Sequence, residues 1–274
     1  MTKRIILIGS KGMLGQMVYS FFESVGYEIL KFDRRFDANS IKSYVEELNS
    51  IDKSIVINCI GRIKQKSDDP YDLFLSNSIL PLELARSLKL DHLLIHPSTD
   101  CVFDGTTSTP YLTCEGHTAT DLYGISKSLG ETAIISRPNS FVVRVSIIGP
   151  DANSDKGLLS WFLSHNPGSE LKGYNNHLWN GITTLEWSEK IFSFLSDNNL
   201  LNNIIKMKVV QLGTNEVLTK FEMLNIFNSV FNTKQKIILV NADNAINRCL
   251  KPDFVSPSLD VQIRKLYVYM NSNL

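Results

Sequence analysis

Short runs of aliphatic and β-branched residues alternate with amphipathic stretches through the first half of the chain. The runs are apolar at consecutive positions rather than at every second one, which is typical of parallel strands covered on both faces. They predict five strands, at Arg4–Ile8, Glu28–Phe32, Ser54–Ile60, His92–His96 and Ser140–Val145.

Helical patterns lie between these runs, at Met13–Val25, Ser40–Leu48, Leu73–Leu88 and Leu122–Ser136. A regular alternation of strands and helices predicts an α/β protein with a doubly wound parallel sheet, the Rossmann arrangement. Ligands of such sheets bind at the carboxyl ends of the strands. We therefore expect functional residues directly after the predicted strands.

The alternation becomes less regular after Gly149 and Pro150, where polar segments at 153–156 and 197–203 interrupt it. The later pattern predicts strands at Lys206–Leu212 and Gln235–Val240 and a helix at Thr219–Phe231. We expect a Rossmann domain over residues 1–150 and a smaller lobe over residues 151–274, which could return a strand to the main sheet.

Composition narrows the functional classes. The 274 residues include 28 Lys+Arg and 28 Asp+Glu, so the formal net charge is zero and favours neither nucleic acid nor an anionic membrane as a partner. The apolar runs are too short to span a bilayer, and the N-terminus lacks the pattern of a secretory signal. The four cysteines show no metal-binding spacing. We expect reduced thiols, no metal site and a cytoplasmic location.

Three glycines at three-residue spacing, Gly9, Gly12 and Gly15, follow the first predicted strand and open the first predicted helix. This pattern permits a tight turn, a close approach of the backbone to a pyrophosphate, and close packing of helix on strand. The N–H groups at the start of the helix favour a negative charge. The first domain is therefore predicted to bind a dinucleotide.

The end of the second predicted strand bears on the choice of cofactor. Asp33 lies where a carboxylate commonly accepts the ribose hydroxyls of NAD, whereas Arg34 and Arg35 could accommodate the 2′-phosphate of NADP. The sequence leaves NADH and NADPH open.

Tyr123 and Lys127 are four residues apart on a predicted helix, so their side chains share a face. A nearby ammonium makes a phenol easier to ionise, and such a pair can exchange a proton with a ketone or an alcohol. Thr99 follows the fourth predicted strand, where its hydroxyl could hydrogen-bond a substrate carbonyl.

Three motifs together carry a family resemblance: Gly9-x-x-Gly12-x-x-Gly15, residues 98–105 (Ser-Thr-Asp-Cys-Val-Phe-Asp-Gly) and residues 122–131 (Leu-Tyr-Gly-Ile-Ser-Lys-x-x-Gly-Glu). They resemble the extended short-chain dehydrogenase/reductases, and within them the dTDP-4-dehydrorhamnose reductase-like sugar-nucleotide reductases. The resemblance covers the first 150 residues and fades through the second half.

The resemblance implies a role for each matching residue. Thr99, Tyr123 and Lys127 would be the catalytic trio, with Asp33 on the ribose and Asp37 near the adenine. Further residues would contact the cofactor together with Arg34, Tyr123 and Lys127: Gly9, Lys11, Gly12, Met13, Leu14, Gly15, Cys59, Ile60, Gly61, Pro97 and Ser98.

Three positions depart from the family pattern. Cys101 stands where the family usually has Tyr, Ile147 where it often has Trp, and Thr183 where it has Pro. The loss of the aromatic residue at 147 implies a sugar other than dehydrorhamnose. Trp179 could stack on a substrate or belong to the core.

The resemblance thus implies an NAD(P)H-dependent reductase of a nucleotide-linked 4-keto-6-deoxysugar, acting in surface polysaccharide precursor synthesis, as a possible homodimer. A sugar-nucleotide 4-epimerase and a non-catalytic dinucleotide-binding regulatory subunit, such as that of methionine adenosyltransferase, remain alternatives. A 4,6-dehydratase is disfavoured, because Cys101 occupies its Glu position and a protonated thiol is a poor substitute for a carboxylate.

Overall fold

A computed structural model describes residues 3–63 and 69–272 of the chain. Its strands, in chain order, are β1 (Arg4–Ile8), β2 (Glu28–Phe32), β3 (Ile55–Asn58), β4 (Leu93–Pro97), β5 (Ser140–Arg144), β6 (Ile147–Ile148), β7 (Glu170–Tyr174), β8 (His177–Trp179), β9 (Ile182–Thr183), β10 (Val209–Gly213), β11 (Leu218–Thr219), β12 (Lys236–Val240), β13 (Ile246–Asn247) and β14 (Phe254–Val255).

The α-helices are α1 (Met13–Ser24), α2 (Ile41–Asn49), α3 (Pro70–Phe74), α4 (Leu80–Ser87), α5 (Leu122–Ile135), α6 (Leu158–Leu163), α7 (Thr184–Ser196), α8 (Asn198–Met207), α9 (Lys220–Phe231) and α10 (Leu259–Ser272). A π-helical turn, Leu75–Ile79, joins α3 to α4, and a short 3₁₀ turn covers Asp100–Val102.

Seven parallel strands form the main sheet, in the order β2-β1-β3-β4-β5-β10-β14. The chain runs outward from β1 to β2 and then returns past β1 to β3, so the strand order reverses there. Such a reversal opens a crevice at the carboxyl ends of the strands. The predicted doubly wound fold is confirmed.

The inner strands of the main sheet are buried on both faces. Ile5 and Leu7 of β1 belong to an apolar cluster with Phe22 of α1 and Trp187 of α7, whereas Ile6 packs with α2, α4 and α5 on the other face. Successive side chains of a strand point to opposite faces. Both faces therefore require apolar residues, which explains the continuous apolar runs in the sequence.

The five predicted strands of the first half are confirmed, with ends shifted by a residue or two. The predicted helix at Leu73–Leu88 begins earlier, at Pro70, and includes the π-helical turn.

The prediction for Lys206–Leu212 is wrong at its start. Lys206 and Met207 end α8, Lys208 turns the chain at φ 68°, and the strand begins at Val209. The polar segment at 197–203 is likewise helical. Asp197 caps α8 by accepting the N–H groups of Asn199 and Leu200, and Leu201 and Ile204 are buried.

The second half contributes both to the main sheet and to smaller ones. Its strands β10 and β14 complete the main sheet beside β5. The smaller sheets are β11-β8-β13, β12-β7 and β6-β9. The functional division at residue 150 stays a prediction.

Within residues 3–63 and 69–272, no helix combines the length and the apolar character needed to cross a membrane.

Candidate active site

The glycine-rich loop brings the start of α1 close to the end of β1. Gly9 has φ +80°, and a Cβ on Gly15 would lie 2.1 Å from the carbonyl oxygen of Gly9, so a side chain there would push strand and helix apart. The N-cap of α1 is Gly12, which provides no side-chain acceptor for the N–H groups of the first turn. These groups are free to bind an anion.

Two adjoining cavities lie above this loop. An inner cavity of about 330 Å³ lies over the ends of β3, β4 and β5, and an outer cavity of about 550 Å³ extends past the end of β2. They share Gly12, Cys59, Ile60 and Gly61 in their walls. Together they form one crevice above the glycine loop, along which a dinucleotide could lie.

Most of the predicted site residues line this crevice. The inner cavity is lined by Gly12, Met13, Leu14, Cys59, Ile60, Gly61, Pro97, Ser98, Thr99, Tyr123 and Lys127. The outer cavity is lined by Gly9, Lys11, Gly12, Asp33, Arg34, Cys59, Ile60 and Gly61. The hydroxyl of Ser98 is buried without a hydrogen-bond partner among the described residues.

Asp37 lies outside both cavity walls. Its carboxylate accepts the N–H groups of Asn39 and Ser40 and the hydroxyl of Ser40, at 2.8 to 2.9 Å, in the turn before α2. These hydrogen bonds hold its pKa below the usual value. Its contact with adenine stays a prediction.

The carboxylate of Asp33 is hydrogen-bonded to Ser10 in the glycine-rich loop. Its carboxylate accepts the backbone N–H of Ser10 at 3.0 Å and the hydroxyl of Ser10 at 2.7 Å. Arg34 forms an ion pair with Glu47, and Arg35 also lines the outer cavity. The segment that follows β2 thus presents one carboxylate and two guanidinium groups to the outer cavity.

The start of α5 packs against the turn that follows β4, and this contact brings Tyr123 to Thr99. A Cβ on Gly124 would lie 2.2 Å from the carbonyl oxygen of Cys101, so only glycine permits the approach. Asp121 caps the helix by accepting the N–H of Gly124 at 3.0 Å. The hydroxyl of Thr99 donates to the carboxylate of Asp100 at 3.0 Å and lies near enough to the phenol of Tyr123 to lower the pKa of that phenol.

Tyr123 is held in its protonated form. Burial raises its pKa, and the carboxylates of Asp100 and Asp121 add to the rise, whereas the nearby hydroxyl of Thr99 opposes it. The phenol is therefore a proton donor at neutral pH.

Lys127 lies one turn further along α5, with its ammonium donating to the carbonyl oxygen of Pro97 at 2.8 Å. Burial lowers its pKa to about 8, although the charge of Glu131 opposes the shift. Lys127 is thus charged at neutral pH and titrates just above it.

Asn77, at the centre of the π-helical turn, is a positioning residue that sequence reasoning missed. Its side chain is fully buried, donates to the carbonyl oxygen of Arg62 at 2.9 Å and accepts the N–H of Arg62 at 2.9 Å. It also donates to the hydroxyl of Ser126 at 3.0 Å. Asn77 therefore fixes the segment after β3, which lines both cavities, to the helix that carries Tyr123 and Lys127.

A buried ionic group lies behind Lys127. Glu131 forms an ion pair with Arg144 and lies 3.0 Å from Nε2 of His117, and Arg144 also donates to Gln211 at 3.0 Å. Burial raises the pKa of Glu131, but the hydrogen bond with His117 and the charge of Arg144 outweigh it and bring the pKa to about 2. Glu131 is a fixed negative charge at every working pH.

Arg248 was also missed, since no local motif marks it. It follows β13 and donates to the carbonyl oxygen of Phe103 at 2.9 Å, and its guanidinium lies 3.9 Å from the carboxylate of Asp121. Its charge opposes the rise that burial causes in the pKa of Asp100. Arg248 thus ties the second half of the chain to the two segments that carry Thr99 and Tyr123.

The departures from the family pattern fall in or near the site. Cys101 and Ile147 line the inner cavity. At these two positions a thiol and an aliphatic side chain replace the aromatic rings of the family pattern. Burial raises the pKa of Cys101 to about 12, which keeps the thiol protonated. Thr183 caps α7, and Trp179 packs against the larger apolar cluster. The described part of the chain holds no group of three potential metal ligands.

Comparison with protein families gives a match over the first part of the chain. The model described as "RmlD substrate binding domain" matches residues 3–166. This span contains the glycine loop and all three residues of the predicted trio.

Two curated relatives illustrate what the chain resembles. Methionine adenosyltransferase 2 subunit beta from Xenopus tropicalis is 23% identical and covers 94% of this chain and 80% of the relative. A dTDP-4-dehydrorhamnose reductase from Burkholderia thailandensis is 24% identical and covers 48% of this chain and 45% of the enzyme.

Among solved structures, a dTDP-4-dehydrorhamnose reductase from Bacillus anthracis in complex with NADP superimposes with a TM-score of 0.82. It is 18% identical, and the match covers 98% of this chain and 100% of that one. At this identity the likeness establishes the shared fold.

Proposed function

Because the chain belongs to the RmlD substrate binding domain family, whose model matches more than half of its length, we propose that it is an NAD(P)H-dependent reductase of a nucleotide-linked 4-keto-6-deoxysugar. Membership in this family of extended short-chain dehydrogenase/reductases confirms the resemblance read from the three motifs. The observation that carries the proposal is the common placement of Thr99, Tyr123 and Lys127 on one cavity above the glycine loop.

The residues of the inner cavity suit the reduction of a ketone. A reduced nicotinamide, when bound, supplies the hydride. Tyr123 donates its phenolic proton to the oxygen that becomes the alcohol, and Thr99 orients that oxygen through its hydroxyl. Lys127 places a positive charge beneath the site, which favours the negative charge that develops on the oxygen and then on the phenol.

The test follows NADH and NADPH consumption with a panel of dTDP-, UDP- and GDP-linked 4-keto-6-deoxysugars. We expect one or more members of the panel to be reduced. Tyr123→Phe should lower kcat by about 100-fold or more, because a positioned proton donor contributes roughly 10²–10⁴-fold. Its affinity for the cofactor should stay within about twofold of the wild type.

Wild-type turnover by Tyr123→Phe would refute the role of Tyr123. Conversion of a nucleotide sugar into its C4 epimer without net cofactor consumption would instead identify a 4-epimerase.

One observation favours a second candidate, a dinucleotide-binding subunit of a larger enzyme. The Xenopus relative, named as a subunit of a methionine adenosyltransferase, matches along nearly the whole chain, whereas the Burkholderia reductase matches less than half. Tight binding of NADPH with no reduction of any panel member would favour this candidate. An effect of the chain on a partner enzyme that survives in Tyr123→Phe would then support it.

The cofactor preference is tested in the outer cavity. Arg34 and Arg35 are proposed to contact a 2′-phosphate, and Asp33 to contact the ribose. Arg35→Ala should raise KM for NADPH by several-fold more than KM for NADH. An equal change for both cofactors would exclude a 2′-phosphate contact by Arg35.

A further inference from the structure

Two ionisable side chains lie on the buried face of α5, toward β4 and β5. Lys127 and Glu131 are four residues apart on this helix, so they share a face and their Cβ atoms are about 5–6 Å apart. Only 6% of Lys127 and 1% of Glu131 is exposed. A helix normally presents apolar side chains to the interior. A buried ammonium and a buried carboxylate at neighbouring positions therefore need a functional explanation.

The carboxylate of Glu131 is held by residues from several segments. Arg144 of β5 approaches both of its oxygens, through an ion pair with one and through Nε at 3.4 Å from the other. Nε2 of His117 lies 3.0 Å from the first oxygen. Arg144 in turn donates to Gln211 of β10 at 3.0 Å and to the carbonyl oxygen of Thr113 at 3.4 Å. The position and the charge of Glu131 are thus fixed by β5, by β10 and by the loop before α5.

The other titratable groups that face Lys127 are neutral. Burial raises the pKa of Cys59, directly after β3, so its thiol stays protonated. Burial and the charge of Lys127 hold the pKa of His96 on β4 well below its usual value. Tyr123, one turn earlier on α5, also stays protonated. Within the described part of the chain, the carboxylate of Glu131 is thus the negative charge that acts on the ammonium.

We propose that Glu131 is a positioning residue of the reaction, whose fixed charge keeps the ammonium of Lys127 protonated at neutral pH. Burial favours the neutral amine, and an opposite charge at this separation counteracts burial by shifting the pKa by about 1 to 3. Through Arg144 and Gln211, the second half of the chain then contributes to the charge of the site. The proposal rests on the proposed function only for the use of that charge in catalysis.

The experiment titrates Lys127 directly, by NMR of the full chain labelled with ¹³C at the lysine Cε. The signal of Lys127 is the one that is absent from Lys127→Arg. In the wild type it should titrate at about pH 8. Glu131→Gln keeps the shape of the side chain and removes its charge. We expect the titration of Lys127 in this variant to move down by about 1 pH unit or more, because the neutral amine is no longer opposed.

Two control variants separate the charge from the packing. Glu46→Gln makes the same substitution at an exposed position of α2 and should leave the titration of Lys127 unchanged. His117→Gln disturbs the surroundings of Glu131 but leaves its ion pair with Arg144, so the carboxylate stays charged. The titration of Lys127 should then stay within about 0.3 pH units of the wild type.

A double variant keeps the test valid if Glu131→Gln does not fold. That single substitution leaves Arg144 buried without a counter-charge, which is strongly destabilising. Glu131→Gln combined with Arg144→Gln replaces the ion pair by two neutral amides. The titration of Lys127 should move down in the double variant as well, because Glu131 is the nearer of the two charges on α5.

In turnover, the effect of Glu131→Gln should depend on pH. At about pH 6 Lys127 is charged in the wild type and in the variant, so their kcat values should agree within about twofold. At about pH 8 the ammonium is roughly half populated in the wild type and roughly one tenth in the variant, so kcat should be about fivefold lower. An equal loss of kcat at both pH values would show a merely structural role and would overturn the proposal.

A titration of Lys127 that does not move down when Glu131 loses its charge would also overturn the proposal. An equal shift in His117→Gln would do the same, since the carboxylate is still present there. If the titration moves as expected while the wild-type chain reduces no nucleotide ketosugar, Glu131 still sets the charge of Lys127 and the reductase proposal fails. The two proposals are thus tested separately.

Discussion

At the scale of single residues, the site combines a phenol held protonated with an ammonium held near its titration point. Thr99, Tyr123 and Lys127 were predicted from their positions in two motifs, and all three line one cavity. Arg248 was not predictable, since an isolated arginine after a two-residue strand carries no local signal. Only the folding of the chain brings Arg248 close to the site.

The titration of Lys127 predicts the pH dependence of the reaction. Its pKa of about 8 means that the ammonium is charged below that pH and neutral above it. The pKa of Tyr123 is raised above its ordinary value, so the phenol remains protonated over the same range. We expect kcat for reduction to be flat below about pH 8 and to fall as the pH rises through that value, measured with saturating cofactor and substrate.

An unchanged kcat up to about pH 10 would show that the charge of Lys127 does not matter for the reaction. As a control, any residual activity of Lys127→Arg should lack this alkaline fall, because a guanidinium stays charged.

At the scale of helices and strands, close contacts between backbone segments decide where the residues of the site lie. The apolar runs predicted the strands well, because a strand buried on both faces has no polar positions. Helix α8 was missed, since four of its ten residues are Asn, which is a weak helix former, and only Leu201 and Ile204 form its buried stripe. The π-helical turn was also beyond prediction, because the side chain of the fully buried Asn77 at its centre forms hydrogen bonds with residues distant in sequence.

Gly124 gives the element-scale prediction. In Gly124→Ala the new methyl group would meet the carbonyl oxygen of Cys101 at 2.2 Å, so α5 must move away from the turn that carries Thr99. We expect kcat to fall by about tenfold or more while cofactor binding is largely retained. The free energy of unfolding should drop by about 1–3 kcal/mol, as for other overpacked sites.

Gly116→Ala is the matched control, because a Cβ at that position meets nothing within 4 Å. Its kcat and its unfolding in urea should both resemble those of the wild type. Full activity in Gly124→Ala would show that the contact between Tyr123 and Thr99 tolerates a shift of α5.

At the scale of the whole molecule, the second half completes the first. The sequence pattern predicted the strands and helices of residues 1–150. It did not show which parts of the second half pack against them. β10 extends the sheet beyond β5, and α7 covers α1, where Phe192 packs edge-on against Phe21 and Phe22. These contacts join residues far apart in sequence, and no local pattern specifies them.

A fragment of residues 1–150 should therefore fail to fold cooperatively. It would expose β5 as a sheet edge and uncover the apolar face of α1. We expect it to aggregate or to unfold in urea without a sigmoidal transition, followed by circular dichroism, whereas the full chain should unfold cooperatively. A sharp transition of the fragment with bound NADPH would contradict this expectation.

The return of the second half of the chain to the main sheet also restricts how the crevice can open. One wall of the crevice carries Thr99 and Tyr123. The other wall is built from segments that leave the main sheet after β5, and the chain rejoins that sheet at β10 and β14. A hinge needs a boundary that few strands of chain cross. Here both walls of the crevice are anchored in the same seven-stranded sheet, so we expect ligand entry and release to depend on loops at the rim, such as 151–157, rather than on the rotation of a domain.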